Sequence, residues 1–243
     1  QSTLEGSAVT AIASRLVLNS ARMLAPWGLA ALLSPAAWAA SSTFDTGAEG
    51  WVSVFNGGQP VEWLGDSIAV NDKIDTWSYL AAPAPYLADA APGAELAFDL
   101  RHEQSGGLPR QWGVRVALVG AGMHLISELA IPGTAWAHYS FTLASGGEGN
   151  AAWRRFDTTQ LEYSSGAPLA SAQDMGSVLS DLQGIYIASD YTAGTLQQGQ
   201  IDRTYLDNVS LTAAVPEPGT WALMLAGLAL PALRSRLQRP PLG

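Results

Sequence analysis

The sequence predicts an all-β protein, an antiparallel sandwich or barrel, from two observations. Apolar and polar residues alternate over short runs, as at residues 96–100, 112–118 and 139–143, and a period of two is typical of half-buried strands. Clusters of glycine, serine and asparagine separate such runs, for example at residues 56–58 and 145–147. Many short strands divided by turns are typical of antiparallel all-β folds.

Further short segments share this alternation or a β-branched and aromatic composition, and we expect strands there as well. They are residues 51–55, 61–63, 67–70, 77–80, 125–131, 184–189 and 205–212.

One segment departs from the strand pattern. Its apolar residues recur at i, i+3, i+4 and i+7, the spacing of one helix face: Met175, Val178, Leu179 and Leu182. Ser171, with Asp174 three residues later, fits an N-terminal cap, and Gly184 fits the end. We expect one short helix near residues 172–183, lying across the sandwich or covering one end.

The composition excludes several classes of function. The chain has 243 residues, a formal charge of −9 and no cysteine, so zinc–thiolate sites, iron–sulfur clusters and cysteine catalysis are excluded. Residues 40–215 carry 7 Lys and Arg against 19 Asp and Glu, which argues against nucleic-acid binding because phosphate contacts need a basic face. The acidic charge is compatible with neutral sugars or divalent cations, and also with solubility alone.

The first 39 residues have the layout of a secretory signal peptide. Arg22 precedes an apolar run at residues 24–33, and Ala37 and Ala39 supply the small side chains that signal peptidase accepts. We expect a signal helix and cleavage after Ala39, with cleavage after Ala40 as the alternative. The residues before position 23 are an extended n-region or an overcalled start.

The last segment, residues 215–243, has three parts in order. Pro216, Glu217 and Pro218 make an extended entry, because each proline fixes φ and disfavours helix before it. The uncharged residues 219–233 form a predicted apolar helix that is short for a bilayer core of about 30 Å, and arginines follow it. A short transmembrane helix after a protease-readable entry suits a temporary anchor.

This tail resembles the PEP-CTERM sorting signal of Gram-negative bacteria. The resemblance implies cleavage by an exosortase near the motif, after transient anchoring in the inner membrane. It also implies a protein of the cell envelope, cell surface or extracellular space, associated with exopolysaccharide. Signal peptidase and exosortase would then be its processing partners.

The order of residues in the middle, residues 40–214, resembles the laminin B domain (laminin domain IV). The segments that carry the resemblance are Phe44-Asp45, Glu49-Gly50-Trp51, residues 77–89, 96–100, 178–187 and 206–211. Tyr86 and Ala88 stand where the family usually has phenylalanine and glycine. The resemblance implies a jelly-roll sandwich similar to galactose-binding-like and carbohydrate-binding modules, without catalytic residues.

The same resemblance implies one structural calcium ion near the first and last strands, involving Asp45 and Asp207. The alternative is that Asp207 and Asn208 hydrogen-bond the backbone at a strand edge. No other cofactor is expected.

Tryptophan supplies the candidate sugar contacts, because sugars stack on exposed aromatic faces. Trp51 and Trp112 lie in alternating strands and are expected in the core. Trp136 and Trp153 lie nearer turns and are the candidate stacking residues, with Arg154 and Arg155 beside Trp153. Packing in the core or at its rim is the alternative for both.

Catalytic patterns are missing from the sequence. It has neither H-E-x-x-H nor G-x-S-x-G, and His102, His124 and His138 are expected at solvated positions. Nothing singles out a pair of carboxylates for glycoside hydrolysis. We therefore expect a non-enzymatic module that binds carbohydrate or matrix. The alternatives are an exopolysaccharide-active glycosidase or lyase, and a passive structural protein without ligand.

Overall fold

The computed structural model describes residues 40–55, 59–72, 77–106, 109–145, 149–158, 161, 163–192 and 200–213. Within these ranges the chain forms two six-stranded antiparallel sheets and two helices. In chain order the elements are β1 (Ala40–Ser42), β2 (Val52–Val54), β3 (Glu62–Trp63), β4 (Ile68–Asn71), β5 (Tyr79–Ala81), α1 (Ala84–Asp89), β6 (Glu95–Gln104), β7 (Arg115–Gly120), β8 (Met123–Glu128), β9 (Ala137–Thr142), β10 (Arg154–Phe156), α2 (Ala172–Ser180), β11 (Leu182–Ala188) and β12 (Asp202–Thr212). The predicted all-β class is confirmed.

The strand order is that of a jelly-roll sandwich rather than a simple meander. The first sheet runs β3-β4-β12-β6-β9, and the second runs β10-β8-β7-β11-β5-β2. On one edge β12 pairs with β4 and then with β1, and on the other edge it pairs with β6. The first and last strands of the domain are therefore hydrogen-bonded neighbours.

The core lies between the two sheets, and strand alternation determines which side chains enter it. Leu96, Phe98 and Leu100 of β6 are fully buried, as are Val116 and Leu118 of β7. Burying one such side chain stabilises the fold by about 1.5–3 kcal/mol. The inward direction of these residues leaves the alternate residues of β7 on the outer face of the second sheet.

The helix α2 confirms the predicted helix at its start and corrects it at its end. Ser171 and Asp174 form the expected capping box, and Met175, Val178 and Leu179 are buried. The helix ends at Ser180, so Leu182 and Gly184 belong to β11 and not to the helix. Asp181 is no longer helical, with φ −130° and ψ 42°, and the residues after it pair with β7.

A second helix, α1, was not predicted, because six residues are too few to show a period. Proline lies in its first turn, where its missing N–H costs no hydrogen bond. Its one buried residue, Tyr86, packs edge-on against Trp51 with ring centroids 5.4 Å apart. The Tyr86 hydroxyl lies 3.0 Å from the Val209 carbonyl oxygen of β12. The prediction that Trp51 lies in the core is confirmed.

The two terminal segments mostly fall outside the described residues. This applies to residues 1–39, with the predicted cleavage after Ala39, and to residues 214–243, with Pro216, Glu217 and Pro218. Ala40 is described: it is the first residue of β1 and pairs with Leu211. Among the helices of the described part, none has the length and apolar character needed to cross a membrane.

Candidate functional site

Trp136 is exposed, as predicted, on the outer face of the first sheet. The residue is 44% exposed, and the Arg101 guanidinium contacts both its ring and the Tyr205 ring, with Cζ 5.3 and 3.6 Å from the two centroids. Arg101 forms an ion pair with Glu103, and the Tyr205 hydroxyl donates to the same carboxylate. The Tyr205 hydrogen bond, and then Arg101, hold the pKa of Glu103 below its usual value. The polar groups beside Trp136 therefore bond one another.

Trp153 is fully buried, so the prediction that it is an exposed stacking residue is wrong. Its Nε1–H donates to the Thr142 carbonyl oxygen at 2.7 Å, and its ring packs against Phe141 in the core. The two arginines beside it serve the fold: Arg154 donates to a backbone carbonyl, and Arg155 pairs with Asp157 and Asp174. The alternative of core packing is the correct one.

An arginine that was not singled out in the sequence lies on the outer face of the second sheet. The Arg115 side chain is 1% exposed, and the rings of Trp77, Trp112 and Tyr163 surround its Cζ at 5.2–5.5 Å. Glu128 Oε2 lies 3.0 Å from Nε in an ion pair that is not aligned as a hydrogen bond. Among the described residues, none accepts a hydrogen bond from the three guanidinium nitrogens. A buried donor without an acceptor costs about 1–3 kcal/mol.

Two exposed rings lie on the same outer face. Trp77 is 42% exposed and Phe55 is 60% exposed. Phe55 contacts Tyr79 and Tyr186, with centroids 6.3 and 6.4 Å apart, and the charge of Arg115 acts on Tyr79. We call this surface the aromatic face, and it consists of Phe55, Trp77, Tyr79, Trp112, Arg115, Tyr163 and Tyr186. It combines two exposed rings, on which a sugar can stack, with a buried guanidinium that has no acceptor and that a ligand reaches only if a covering ring moves.

Trp112 differs from its prediction. It was expected in the core, but it is partly exposed and packs on Trp77 with centroids 5.5 Å apart and the planes tilted by 39°. Trp112 precedes β7 and forms part of the cover over Arg115. The alternating pattern around residue 112 therefore began three residues before the strand itself.

Asp45 and Asp207, the predicted calcium ligands, lie close enough to interact. Burial raises the pKa of Asp207, and the charges of Asp66, Asp99 and Asp45 raise it further. The Asp207 carboxylate accepts the backbone N–H and the side-chain amide of Asn208, at 2.7 and 3.2 Å. Those hydrogen bonds match the alternative of backbone bonding at a strand edge, and calcium binding there stays a prediction.

A different group of carboxylates meets at one end of the sandwich. One carboxylate oxygen from each of Asp72, Asp190 and Asp202 lies within 4.8 Å of the other two, and Asp190 and Asp202 are buried. We call this group the aspartate cluster. Burial raises the pKa of Asp190 to about 7, and the charge of Asp202 raises it while Thr192 and Arg115 lower it. The sequence carried no signal for this cluster, because its members are distant along the chain.

His102 joins the cluster and corrects one prediction. His102 and His124 are buried rather than solvated, while His138 is exposed as expected. Arg110 Nε can only donate, and it lies 3.1 Å from His102 Nδ1, so the proton of the neutral imidazole is on Nε2. That proton is donated to Asp202, whose other oxygen accepts from Thr192.

Comparison with known proteins gives one family and weak structural likenesses. Residues 79–224 match the model of the family Laminin B (Domain IV). The L4b domain of human laminin alpha-2 is 12% identical, with 72% of this chain and 97% of that chain covered and a TM-score of 0.49. A family 11 carbohydrate-binding module from Clostridium thermocellum, in complex with a beta-1,3-1,4-mixed-linked tetrasaccharide, is 16% identical, with coverages of 74% and 98% and a TM-score of 0.41. A family 29 carbohydrate-binding module is 12% identical, with coverages of 75% and 97% and a TM-score of 0.37. No curated protein matches the chain.

Proposed function

Because this chain belongs to the laminin B (domain IV) family, whose model matches more than half of its length, we propose that its sandwich is a non-enzymatic module that binds carbohydrate at the aromatic face. Its ligand is a neutral exopolysaccharide or another matrix glycan. The protein that carries it is exported to the cell surface or biofilm matrix.

The observation that carries this proposal is Arg115 with its unused donors beneath exposed rings. The sugar faces that stack on Trp77 and Phe55 are apolar, and their hydroxyl and ring oxygens accept hydrogen bonds. The polar groups around Trp136 on the other sheet already bond one another. Trp136 is therefore the weaker of the two candidate surfaces, although it is equally exposed.

The charge of the protein favours a neutral ligand. The formal charge of the chain is −9, so an anionic polysaccharide is repelled at long range. Stacking and hydrogen bonds to neutral groups are poorly screened, so we expect binding to change little with salt.

An enzyme acting on exopolysaccharide is the second candidate. Glu128 is the carboxylate beside Arg115, and burial raises its pKa while Arg115 lowers it. A glycosidase needs a second carboxylate across the bound sugar. Release of reducing ends or unsaturated sugars by the protein, lost in Glu128→Gln, would establish this candidate in place of the binding module.

Export and sorting are part of the proposal. Signal peptidase would cleave after Ala39, and an exosortase would act near Pro216-Glu217-Pro218 after transient anchoring in the inner membrane. The pairing of Ala40 with Leu211 supports this, because it places the first and last strands of the described sandwich next to each other, and both predicted cleavage positions lie outside these strands in sequence. The intact mass of the native secreted protein should begin at Ala40 and lack most of residues 221–243, and recovery of the uncleaved chain outside the cell would contradict it.

Pull-down with insoluble and immobilised polysaccharides tests the binding proposal. The parent protein should be retained by at least one neutral polysaccharide without turnover. Trp77→Ala should lower retention by at least about tenfold, because one exposed stacking ring contributes about 1.4 kcal/mol or more.

Trp136→Ala is the matched control, because Trp136 is equally exposed but lies on the other sheet. It should leave retention unchanged. Loss in Trp136→Ala with retention in Trp77→Ala would move the site to the first sheet. A parent protein that no glycan or matrix fraction retains would leave a passive structural role.

A further inference from the structure

The aspartate cluster has the spacing of a cation site. Calcium–oxygen distances are about 2.3–2.6 Å, so two ligands of one ion lie within about 5 Å of each other. The three carboxylate oxygens meet that limit pairwise, at 4.8 Å or less. They come from separate parts of the chain, near the end of β4, after β11 and at the start of β12, which the fold brings together.

Asp190 gives a second observation that points to a ligand. The side chain is more than nine-tenths buried, and in the described part of the chain its only hydrogen-bond donor is the Thr192 backbone N–H, which serves Oδ1. Oδ2 accepts no hydrogen bond from the described residues, and one of the two Asp190 oxygens lies within 4.8 Å of the other carboxylates. Asp202 differs, since His102 and Thr192 serve both of its oxygens.

We propose that Asp72, Asp190 and Asp202 bind one divalent cation, of which Ca²⁺ fits best, as a structural site distinct from the aromatic face. Carboxylate oxygens are the ligands of hard cations, and Ca²⁺ tolerates an irregular set better than Mg²⁺ does. An ion there binds one oxygen of each aspartate and offsets the repulsion between the buried carboxylates.

The surrounding charges limit what the site can hold. The Arg110 guanidinium bonds Nδ1 of His102, so the imidazole ring lies between it and Asp202, and the charge of Arg115 acts on Asp190. Among the described residues, neither arginine donates a hydrogen bond to the three aspartates. Their positive charges lower the affinity of the site for a cation, but they do not take the place of one. The ion would tie β4 and β12 to the segment after β11, which closes one end of the sandwich.

Thermal unfolding of the full chain, stripped with EDTA and titrated with CaCl₂, tests the proposal. At calcium about one hundredfold above its dissociation constant, Tm should rise by at least about 4 °C. Asp190→Asn should abolish the rise, while its Tm without metal stays at or above that of the stripped parent because a buried charge is removed. Asp207→Asn, at the other predicted calcium site, is the control and should keep the full rise.

Terbium luminescence gives a second readout that does not depend on the variants folding. Tb³⁺ bound to the parent should be sensitised by nearby rings such as Tyr191 and displaced by Ca²⁺. The proposal is overturned if neither Ca²⁺ nor Mg²⁺ shifts Tm and Tb³⁺ gives no displaceable signal. It is also overturned if Asp190→Asn keeps the shift or if Asp207→Asn loses it.

Discussion

At the residue scale, Tyr86 shows how one buried hydroxyl links several parts of the fold. Its ring packs on Trp51, and its hydroxyl lies between Ser42 of β1 and the Val209 carbonyl of β12. Burial raises the pKa of Tyr86 to about 12, and the hydrogen bond with Ser42 partly offsets this. The folded protein therefore holds the phenolic proton more tightly than the unfolded chain does.

This difference predicts a loss of stability at alkaline pH. Below pH 10, the pKa of tyrosine in the unfolded chain, the contribution of Tyr86 to the free energy of unfolding is fully present. It is lost as pH rises from 10 to about 12, because the unfolded chain releases the phenolic proton first. The loss amounts to about 2–3 kcal/mol for two pKa units. Urea unfolding of the parent and of Tyr86→Phe between pH 9 and 11.5 measures it.

Tyr86→Phe should be less stable than the parent at pH 9 and should converge with it as pH rises. Tyr79, whose pKa burial also raises to about 12, keeps some alkaline sensitivity in the variant. Parallel stability curves for the two proteins across this range would show that Tyr86 does not titrate as described.

Some single residues were harder to predict than the strands around them. Trp153 is buried through contacts made across the fold, with Thr142 and Phe141, which the local sequence does not indicate. His102 continues the inward alternation of β6, so the strand period did indicate its burial, but not its partner Asp202. Arg115 sits in a strand whose alternation marks it as outward, which is correct. Its burial depends on Trp77, Trp112 and Tyr163, which come from separate segments of the chain, so the alternation within the strand does not predict that burial.

At the element scale, predictions held where several local signals agreed. The start of α2 combined an apolar 3–4 spacing with a capping box, and both are present. Its end was misplaced because Leu182 continues the helical spacing yet pairs with Gly120 of β7. Tertiary pairing overrode the local pattern there.

The capping box gives a quantitative prediction. Ser171 Oγ accepts the Asp174 N–H at 3.1 Å, and Asp174 in turn accepts the Ser171 N–H at 2.9 Å. Ser171→Ala should destabilise the protein by about 1 kcal/mol, or roughly 2–4 °C in Tm. Ser180→Ala at the other end of α2 is the control, because Ser180 only bonds the Ser177 carbonyl within the helix, and it should change Tm by less. Equal effects of the two changes in thermal melts would contradict a role for the cap.

The irregularity within β12 was also predicted in part from the sequence. Asn208 has a left-handed φ of 49° at an irregularity between Asp207 and Ser210, and asparagine tolerates that conformation. The Asp-Asn pair therefore lies at a bulge in the pairing of β12 with β6, between the stretches of β12 that pair with β4 and with β1 on the other edge. The sequence suggested the side-chain bonding but not the bulge.

At the scale of the whole molecule, the two outer faces of the sandwich differ in how their polar groups are used. Around Trp136, Arg101 and Arg203 are each ion-paired with a glutamate, although the Nε of each has no acceptor among the described residues. On the aromatic face, Arg115 keeps donors without acceptors under rings that are partly open to solvent. In the first arrangement the charges are already paired, whereas in the second a hydroxylated ligand that stacks on the rings gains hydrogen bonds to Arg115 only if a covering ring moves, because the guanidinium is buried.

The most direct test of carbohydrate binding at the aromatic face is isothermal titration calorimetry of Arg115→Met with an oligosaccharide of a polysaccharide that the parent retains. Methionine keeps an apolar stem beneath the rings and removes the guanidinium, whose hydrogen-bond donors are unused in the free protein. The account predicts that affinity falls at least about tenfold in a variant that still unfolds cooperatively, with a lower Tm because Glu128 loses its ion-pair partner. Unchanged affinity in a folded Arg115→Met would contradict it.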